Sequence, residues 1–285
     1  MPRVCAGDYG AYGTYMNEDI YEVRDRIVEN KAFLSRKDIR KVKICRGAGY
    51  IGDWAFAKCS NLKEVVFEDD FHPGLFGKDV FTGCEKLSTI AFANTDESTN
   101  RLLAVCTNKM YYDHLLRADD VGKKSWYEKW DISLISQLKT DDAEARMSAA
   151  LCGEEDISYD GIGSVDGELP GETDDYVRKE EFRKCSLCYL RLTYDIYLTD
   201  MTRETVCDHL INNSLGNRSG AAFYSLFEDS NNSLEYMRIY LDTIKPDREM
   251  ITDMIGNVPS HNVVARSYLI KEAEKKSDVL SDLLL

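Results

Sequence analysis

The N-terminal third of the chain repeats itself at a nearly fixed spacing, and this repeat constrains the fold more than any other feature. Residues 55–67 (AFAKCSNLKEVVF) align with residues 80–92 (VFTGCEKLSTIAF), 25 positions further along. A weaker copy, residues 32–44 (AFLSRKDIRKVKI), lies 23 positions before the first, with Arg36 where the other two carry cysteine. Structural repeats of this length indicate stacked units that share one core.

Each copy ends in an alternating stretch that is typical of a short strand with one buried face. In the middle copy the residues that point one way are Leu62, Val65 and Phe67, and those that point the other way are Glu64, Val66 and Glu68. A single strand with one return segment cannot bury its apolar face, whereas stacked copies can. The repeat therefore predicts a short solenoid with a parallel sheet, in which the repeated Phe, Leu and Cys side chains form the core.

The same residues carry a resemblance to a known family. Residues 51–65 (IGDWAFAKCSNLKEV) resemble the BspA-like leucine-rich repeat, whose pattern is I-G-x-x-A-F-x-x-C-x-x-L-x-x-V/I. The next copy matches from Phe81 to Ile90 but has Asp79-Val80 where the pattern has alanine. The clear copies cover residues 30–93. The resemblance implies a mostly bacterial protein whose repeats serve as binding or adhesion surfaces and do not catalyse a reaction.

The rest of the chain has a different character. Residues 1–125 hold 19 basic and 19 acidic side chains, whereas residues 126–285 hold 17 basic and 31 acidic ones, so the net charge of −14 lies in the second part. Apolar residues there recur at helical spacing in segments of about ten residues. We expect an α+β repeat protein with a leucine-rich-repeat domain over 1–120 and an all-α, helical-repeat domain over 121–285. The helix lengths resemble an ankyrin-like tail, without the Thr-Pro-Leu-His signature.

One acidic stretch interrupts the helical part. Residues 153–175 carry nine acidic residues, five glycines and no basic residue. This composition is typical of a solvated loop, and we predict no secondary structure in it.

The cysteines allow a second, chemical interpretation. Nine cysteines scattered along the chain do not form a disulfide framework and fit a reducing compartment. Cys185 and Cys188 form a C-x-x-C, and Cys207 and His209 follow further along the chain. A zinc- or thiol-containing protein is therefore an alternative interpretation. The position of Cys185 on the apolar stripe of a predicted helix argues against it.

The remaining sequence signals favour a binding protein. No nucleophile, phosphate-binding, dinucleotide or H-E-x-x-H motif occurs, so we expect no enzyme and no cofactor. The negative charge disfavours nucleic acid, and no apolar run predicts membrane insertion or a signal peptide. We therefore predict a cytoplasmic protein that binds another protein, with a cell-surface adhesin as the less favoured alternative.

The predicted binding surface is the face of the parallel sheet that points away from the core, on the concave side of the solenoid. Side chains there change along the stack from basic to acidic to small and apolar, a pattern that could accept a protein segment. The candidate partner-binding residues are Lys41, Lys43, Glu64, Val66, Glu68, Thr89 and Ala91.

Overall fold

A computed structural model describes residues 14–17, 20–140, 170–227 and 233–282. The chain divides into two compact units, and each is described by itself. The first comprises Met1–Leu134 together with the short segment Tyr194–Leu198. The second comprises Ile135–Thr193 and Thr199–Leu285.

The first unit contains two sheets. Five strands form the larger sheet in the order β1-β2-β4-β6-β7, and β3 and β5 form the smaller one. The strands are β1 (Thr14–Asn17), β2 (Ile20–Val23), β3 (Ile27–Val28), β4 (Lys41–Ile44), β5 (Tyr50–Ile51), β6 (Glu64–Phe67) and β7 (Thr89–Ala91). All neighbouring strands pair in parallel except β1 and β2, which are antiparallel. Strand β1 thereby covers the edge of the parallel strands at β2.

The strand register reproduces the repeat seen in the sequence. Val42 pairs with Val65, and Val65 pairs with Ile90, which are equivalent positions in the three aligned copies. The predicted parallel solenoid is therefore confirmed. The sequence alignment missed one turn, because β2 pairs with β4 at a shorter spacing and its copy lacks the Phe and Cys of the pattern.

Two ladders of side chains hold the copies in line. The rings of Phe33 and Phe56 stack with centroids 4.8 Å apart, and those of Phe56 and Phe81 stack at 5.8 Å. The thiol of Cys59 donates to the carbonyl of Phe33 at 3.1 Å, and that of Cys84 donates to the carbonyl of Phe56 at 3.0 Å. All five residues are buried, so the prediction that these cysteines are core residues is confirmed.

The glycine of the Ile-Gly pair is required by a close approach of two backbones. A Cβ placed on Gly52 would lie 2.5 Å from the backbone nitrogen of Asn30 in the preceding copy. The Asn30 side chain accepts from the backbone N–H of Asp53 at 2.9 Å, and Asp53 in turn accepts from Lys78 N–H at 2.8 Å. A larger residue at position 52 would push these hydrogen-bonded copies apart.

Each copy also turns through the left-handed region of backbone space at two equivalent places. Just before the Ala-Phe or Val-Phe pair, Lys31, Trp54 and Asp79 have φ values of 60°, 54° and 53°. Two residues after the Phe, Ser35, Lys58 and Gly83 have φ values of 60°, 59° and 74°. Only the last of these six residues is a glycine. The other five carry side chains and are held in the left-handed backbone conformation, which is unfavourable for residues other than glycine.

Helices follow the last strand within the same unit. They are α1 (Glu97–Val105), a 3-10 turn (Asp113–Arg117) and the first part of α2 (Lys124–Lys139). Helix α1 packs on β7 and begins at Asp96, whose carboxylate accepts from Thr99 N–H at 2.7 Å. The fully buried indoles of Trp126 and Trp130 donate to the carbonyls of Leu115 and Leu102.

All the regular secondary structure in the described part of the second unit is helical, as the sequence predicts. Its helices are the end of α2, α3 (Pro170–Thr193), α4 (Asp200–Asn212), α5 (Ala221–Tyr224, continued by a 3-10 turn at Ser225–Phe227), α6 (Ser233–Ile244), α7 (Arg248–Asn257) and α8 (Val263–Asp282). The fully buried Tyr189 of α3 stacks on Tyr236 of α6 at 5.2 Å and donates to the carbonyl of Ala222 at 2.6 Å. Whether this unit is ankyrin-like stays a prediction.

One prediction in this unit needs correction. The predicted acidic loop extends to residue 175, but α3 begins at Pro170. Proline is well suited to the first position of a helix, and the acidic residues that follow it favour the positive end of the helix dipole. The remainder of the predicted loop, residues 153–169, lies outside the described residues.

The close approach at Gly52 leads to a first prediction. Gly52→Ala should lower the free energy of unfolding by about 1–3 kcal/mol, because the added methyl group overlaps the backbone of the preceding copy. Urea unfolding followed by circular dichroism measures this. Gly74→Ala is the matched control, because no atom lies within 4 Å of a Cβ at that position. Equal stability of the two variants would contradict the close approach.

The left-handed turns lead to a second prediction. Lys58→Gly should raise the free energy of unfolding by about 0.5–1 kcal/mol, because glycine relieves the strain at a φ of 59° and stands naturally at the equivalent Gly83. Lys63→Gly, at an exposed position where no positive φ occurs, should lower it instead. A stability loss of the same size in both variants would argue against strain at Lys58.

Candidate protein-binding face

The seven predicted binding residues lie together on one face of the larger sheet. Along β4, β6 and β7, and at Glu68 directly after β6, they alternate with the buried residues Val42, Ile44, Val65, Phe67 and Ile90. Across the strands, Lys41 pairs in register with Glu64, and Glu64 with Thr89. We call the seven residues the outer sheet face. Whether they bind a partner stays a prediction.

The charged residues of the outer sheet face bind one another. Lys41 Nζ lies 2.9 Å from Glu64 Oε2, and Lys43 Nζ lies 2.8 Å from Glu68 Oε1. A second carboxylate, that of Glu22 on β2, lies 3.9 Å from Lys43 Nζ. The change from basic to acidic side chains along the stack is therefore a set of cross-strand ion pairs, and the face carries little net charge.

The second pair is the more firmly placed. Besides Lys43, Glu68 accepts a hydrogen bond from the backbone N–H of Arg46 at 3.1 Å. Lys43 and the Arg46 N–H hold the pKa of the Glu68 carboxyl below its ordinary value. The hydrogen bond and charge of Glu68, with a smaller contribution from Glu22, raise the pKa of Lys43. Both groups are therefore charged over the whole neutral range.

Sequence reasoning missed Glu22 because its copy was not recognised. The signal that could have found it is the alternation of Tyr21 and Val23 with Glu22 at the head of the repeats. In the structure Glu22 pairs in register with Lys43 and also accepts a hydrogen bond from Arg24 at 2.9 Å. The outer sheet face therefore extends one strand further than predicted.

Beyond the ion pairs the face becomes small and apolar. Val66 and Ala91 are cross-strand neighbours, and both are partly accessible to solvent. Thr89 lies two residues before Ala91 on the same face. A flat patch of short side chains allows another backbone to come close, and the ion pairs beside it would fix the register of an approaching segment.

The cysteines of the alternative interpretation are core residues in the structure. Cys185 and Cys188 lie on α3 and are both fully buried. Burial raises the pKa of the Cys188 thiol well above its ordinary value, which opposes the thiolate form that metal binding and redox chemistry need. Within the described ranges, no group of three or more His, Cys, Asp or Glu side chains is placed to hold a metal ion, and Cys207 and His209 do not complete one.

Comparison with known families identifies the repeat region of the first unit. Residues 26–113 match the BspA type leucine-rich repeat region, in six copies. These residues are a BspA type leucine-rich repeat region. The match extends beyond the clear copies at 30–93 on both sides, and the repeat region contains all seven residues of the outer sheet face.

Comparison with whole proteins adds one partial relative. The chain is 32% identical over 143 aligned residues to the subunit alpha of biphenyl 2,3-dioxygenase from Rhodococcus jostii (strain RHA1). The alignment covers 45% of this chain. The chain spans 30% of that relative. No solved structure matches the chain significantly. No helix in the described part of the chain is long and apolar enough to cross a membrane.

The ion pair of Lys43 and Glu68 leads to a third prediction. Because the pKa of Glu68 is lowered by folding, the stabilisation from this pair is present at neutral pH and is lost as the pH falls through the folded-state pKa. A double-mutant cycle of Lys43→Met and Glu68→Gln should therefore give a favourable coupling at pH 7. The coupling should disappear at a pH low enough to protonate Glu68.

Salt provides the control for this cycle, since 1 M NaCl should weaken the coupling of so exposed a pair. A coupling that is the same at both pH values and at both salt concentrations would show that the two residues interact through packing rather than through charge.

Proposed function

We propose that this chain is a non-enzymatic interaction module whose repeat region binds a protein partner through the outer sheet face. A leucine-rich repeat region is generally a protein-interaction module, and this one lies within residues 26–113. The observation that carries the proposal is the register of the strands, which gathers the seven residues on one continuous face.

The chemistry of the face supports the binding of a protein surface rather than of a small ion. Its carboxylates and ammonium groups already neutralise one another, so a partner need not supply a compensating charge. Ion pairs that are fixed before binding lose less side-chain freedom when the partner arrives. The short side chains of Thr89 and Ala91 leave room for the partner's own side chains.

The dioxygenase similarity is not extended to this chain. The aligned stretch is a minor part of the dioxygenase subunit, so neither that activity nor its substrate is proposed for this chain. The acidic helical unit offers a second surface for partners. A cytoplasmic location, the adhesin alternative and the thiol or zinc alternative stay predictions.

The test is a variant that blocks the face without disturbing the core. In Val66→Arg combined with Ala91→Glu, two large side chains replace short ones at cross-strand positions, where they can pair with each other and leave the net charge unchanged. We expect this variant to lose a partner that the unaltered chain captures from a native lysate, as measured by quantitative mass spectrometry.

The matched control is Ser136→Glu combined with Thr140→Arg, which adds the same two side chains at exposed positions one helical turn apart at the end of α2. Both variants should unfold at the temperature of the parent chain. Loss of the partner in the face variant alone supports the proposal, while retention in both variants moves the binding site away from this face.

A further inference from the structure

A second charged surface lies along one edge of the same solenoid. In each copy, a short segment connects the turn that follows the repeated Phe to the next strand of the larger sheet. This segment passes along the edge of the sheet where the strands begin. Four exposed cations occupy this edge, and we call them the basic ridge: Lys37, Arg40, Lys63 and Lys86.

Hydrogen bonds show that the ridge residues are neighbours. The backbone N–H of Lys63 donates to the carbonyl of Arg40 at 2.7 Å, which places these two residues in adjacent copies. We call one copy's level in the stack a rung. The side chain of Asn61 donates to the carbonyl of Lys37 at 2.7 Å and accepts from Lys86 Nζ at 2.8 Å. Three successive copies therefore contribute to one continuous strip of positive charge.

The cations of the ridge differ from those of the outer sheet face in one respect. Lys41 and Lys43 each bind a carboxylate, whereas none of the four ridge cations forms an ion pair with any residue that the structure describes. Asp38, next to Lys37 in the sequence, is held by Arg36 at 2.5 Å, and Glu85, next to Lys86, is exposed.

Adjacent rungs are about 4.8 Å apart, so like charges on this edge repel one another at short range. An anionic ligand that spans the rungs would relieve that repulsion. Three rungs cover about 10 Å, which is the length of about three residues of extended peptide. The ridge therefore matches a short run of acidic side chains in both charge and length.

We propose that the basic ridge binds an acidic segment of a partner protein. The ridge residues are not part of the outer sheet face, so the inference does not depend on the function proposed above. A protein segment is favoured over nucleic acid because the ridge, about 10 Å long, spans few phosphates, whereas about three residues of extended acidic peptide cover its whole length.

The test uses a fluorescein-labelled peptide of six glutamates and measures its fluorescence anisotropy with the full chain at low salt. Arg40→Gln combined with Lys63→Gln removes the two cations on adjacent rungs and should weaken binding about fivefold, as expected for the loss of two exposed charge pairs. Raising the salt to 0.3 M should weaken binding to the parent chain as well.

The matched control is Lys123→Gln combined with Lys124→Gln, which removes the same charge from exposed positions at the start of α2 in the same unit. It should bind the peptide as the parent does. Equal weakening in both variants would reduce the effect to overall charge and overturn the proposal. Circular dichroism of both variants verifies that neither has unfolded.

Two further outcomes would also overturn it. Tighter binding of a labelled six-nucleotide oligothymidine than of the glutamate peptide, again lost in the ridge variant, would make nucleic acid the ligand. Dimers of the parent chain in sedimentation equilibrium that are absent in the ridge variant would make a second copy of this chain the occupant.

Discussion

Alignment of each copy on the one before it is the constraint on which the first unit depends. A Phe ring stacks on the preceding Phe ring, and a Cys thiol donates back to a carbonyl of the preceding copy. Both contacts require equivalent residues to lie directly above one another. If a strand slipped by one residue, Val65 would turn outward and Glu64 inward, and the core and the binding face would be lost together.

The same alignment explains why the two charged surfaces behave differently. Within the strands, residues at equivalent positions are cross-strand neighbours, so a lysine in one copy and a glutamate in the next become an ion pair. At the edge, the equivalent positions carry Arg40 and then Lys63, and no carboxylate in the described residues pairs with either. One stacking rule therefore produces a neutral face and a positive edge from a single unit of the chain.

Much of the first unit could be predicted because the repeat spacing fixes which residues are neighbours. The pairing of Lys41 with Glu64 follows directly from the spacing between the first two aligned copies. The strand at Glu22 could not be found in this way, because Phe and Cys are absent from its copy and its spacing differs. In the helical unit, periodicity located the helices, but the start of α3 depends on local effects at Pro170 that a compositional argument overlooks.

The unequal spacing of successive strands along the chain has a consequence for how such a chain can change. The strands stay in register although the segments between them differ in length, so insertions there leave the rungs intact. Gain or loss of one whole copy would likewise preserve every contact between the copies that remain. The outer sheet face would become longer or shorter by about 4.8 Å. Duplication or loss of copies can therefore change the length of this face in steps of that size.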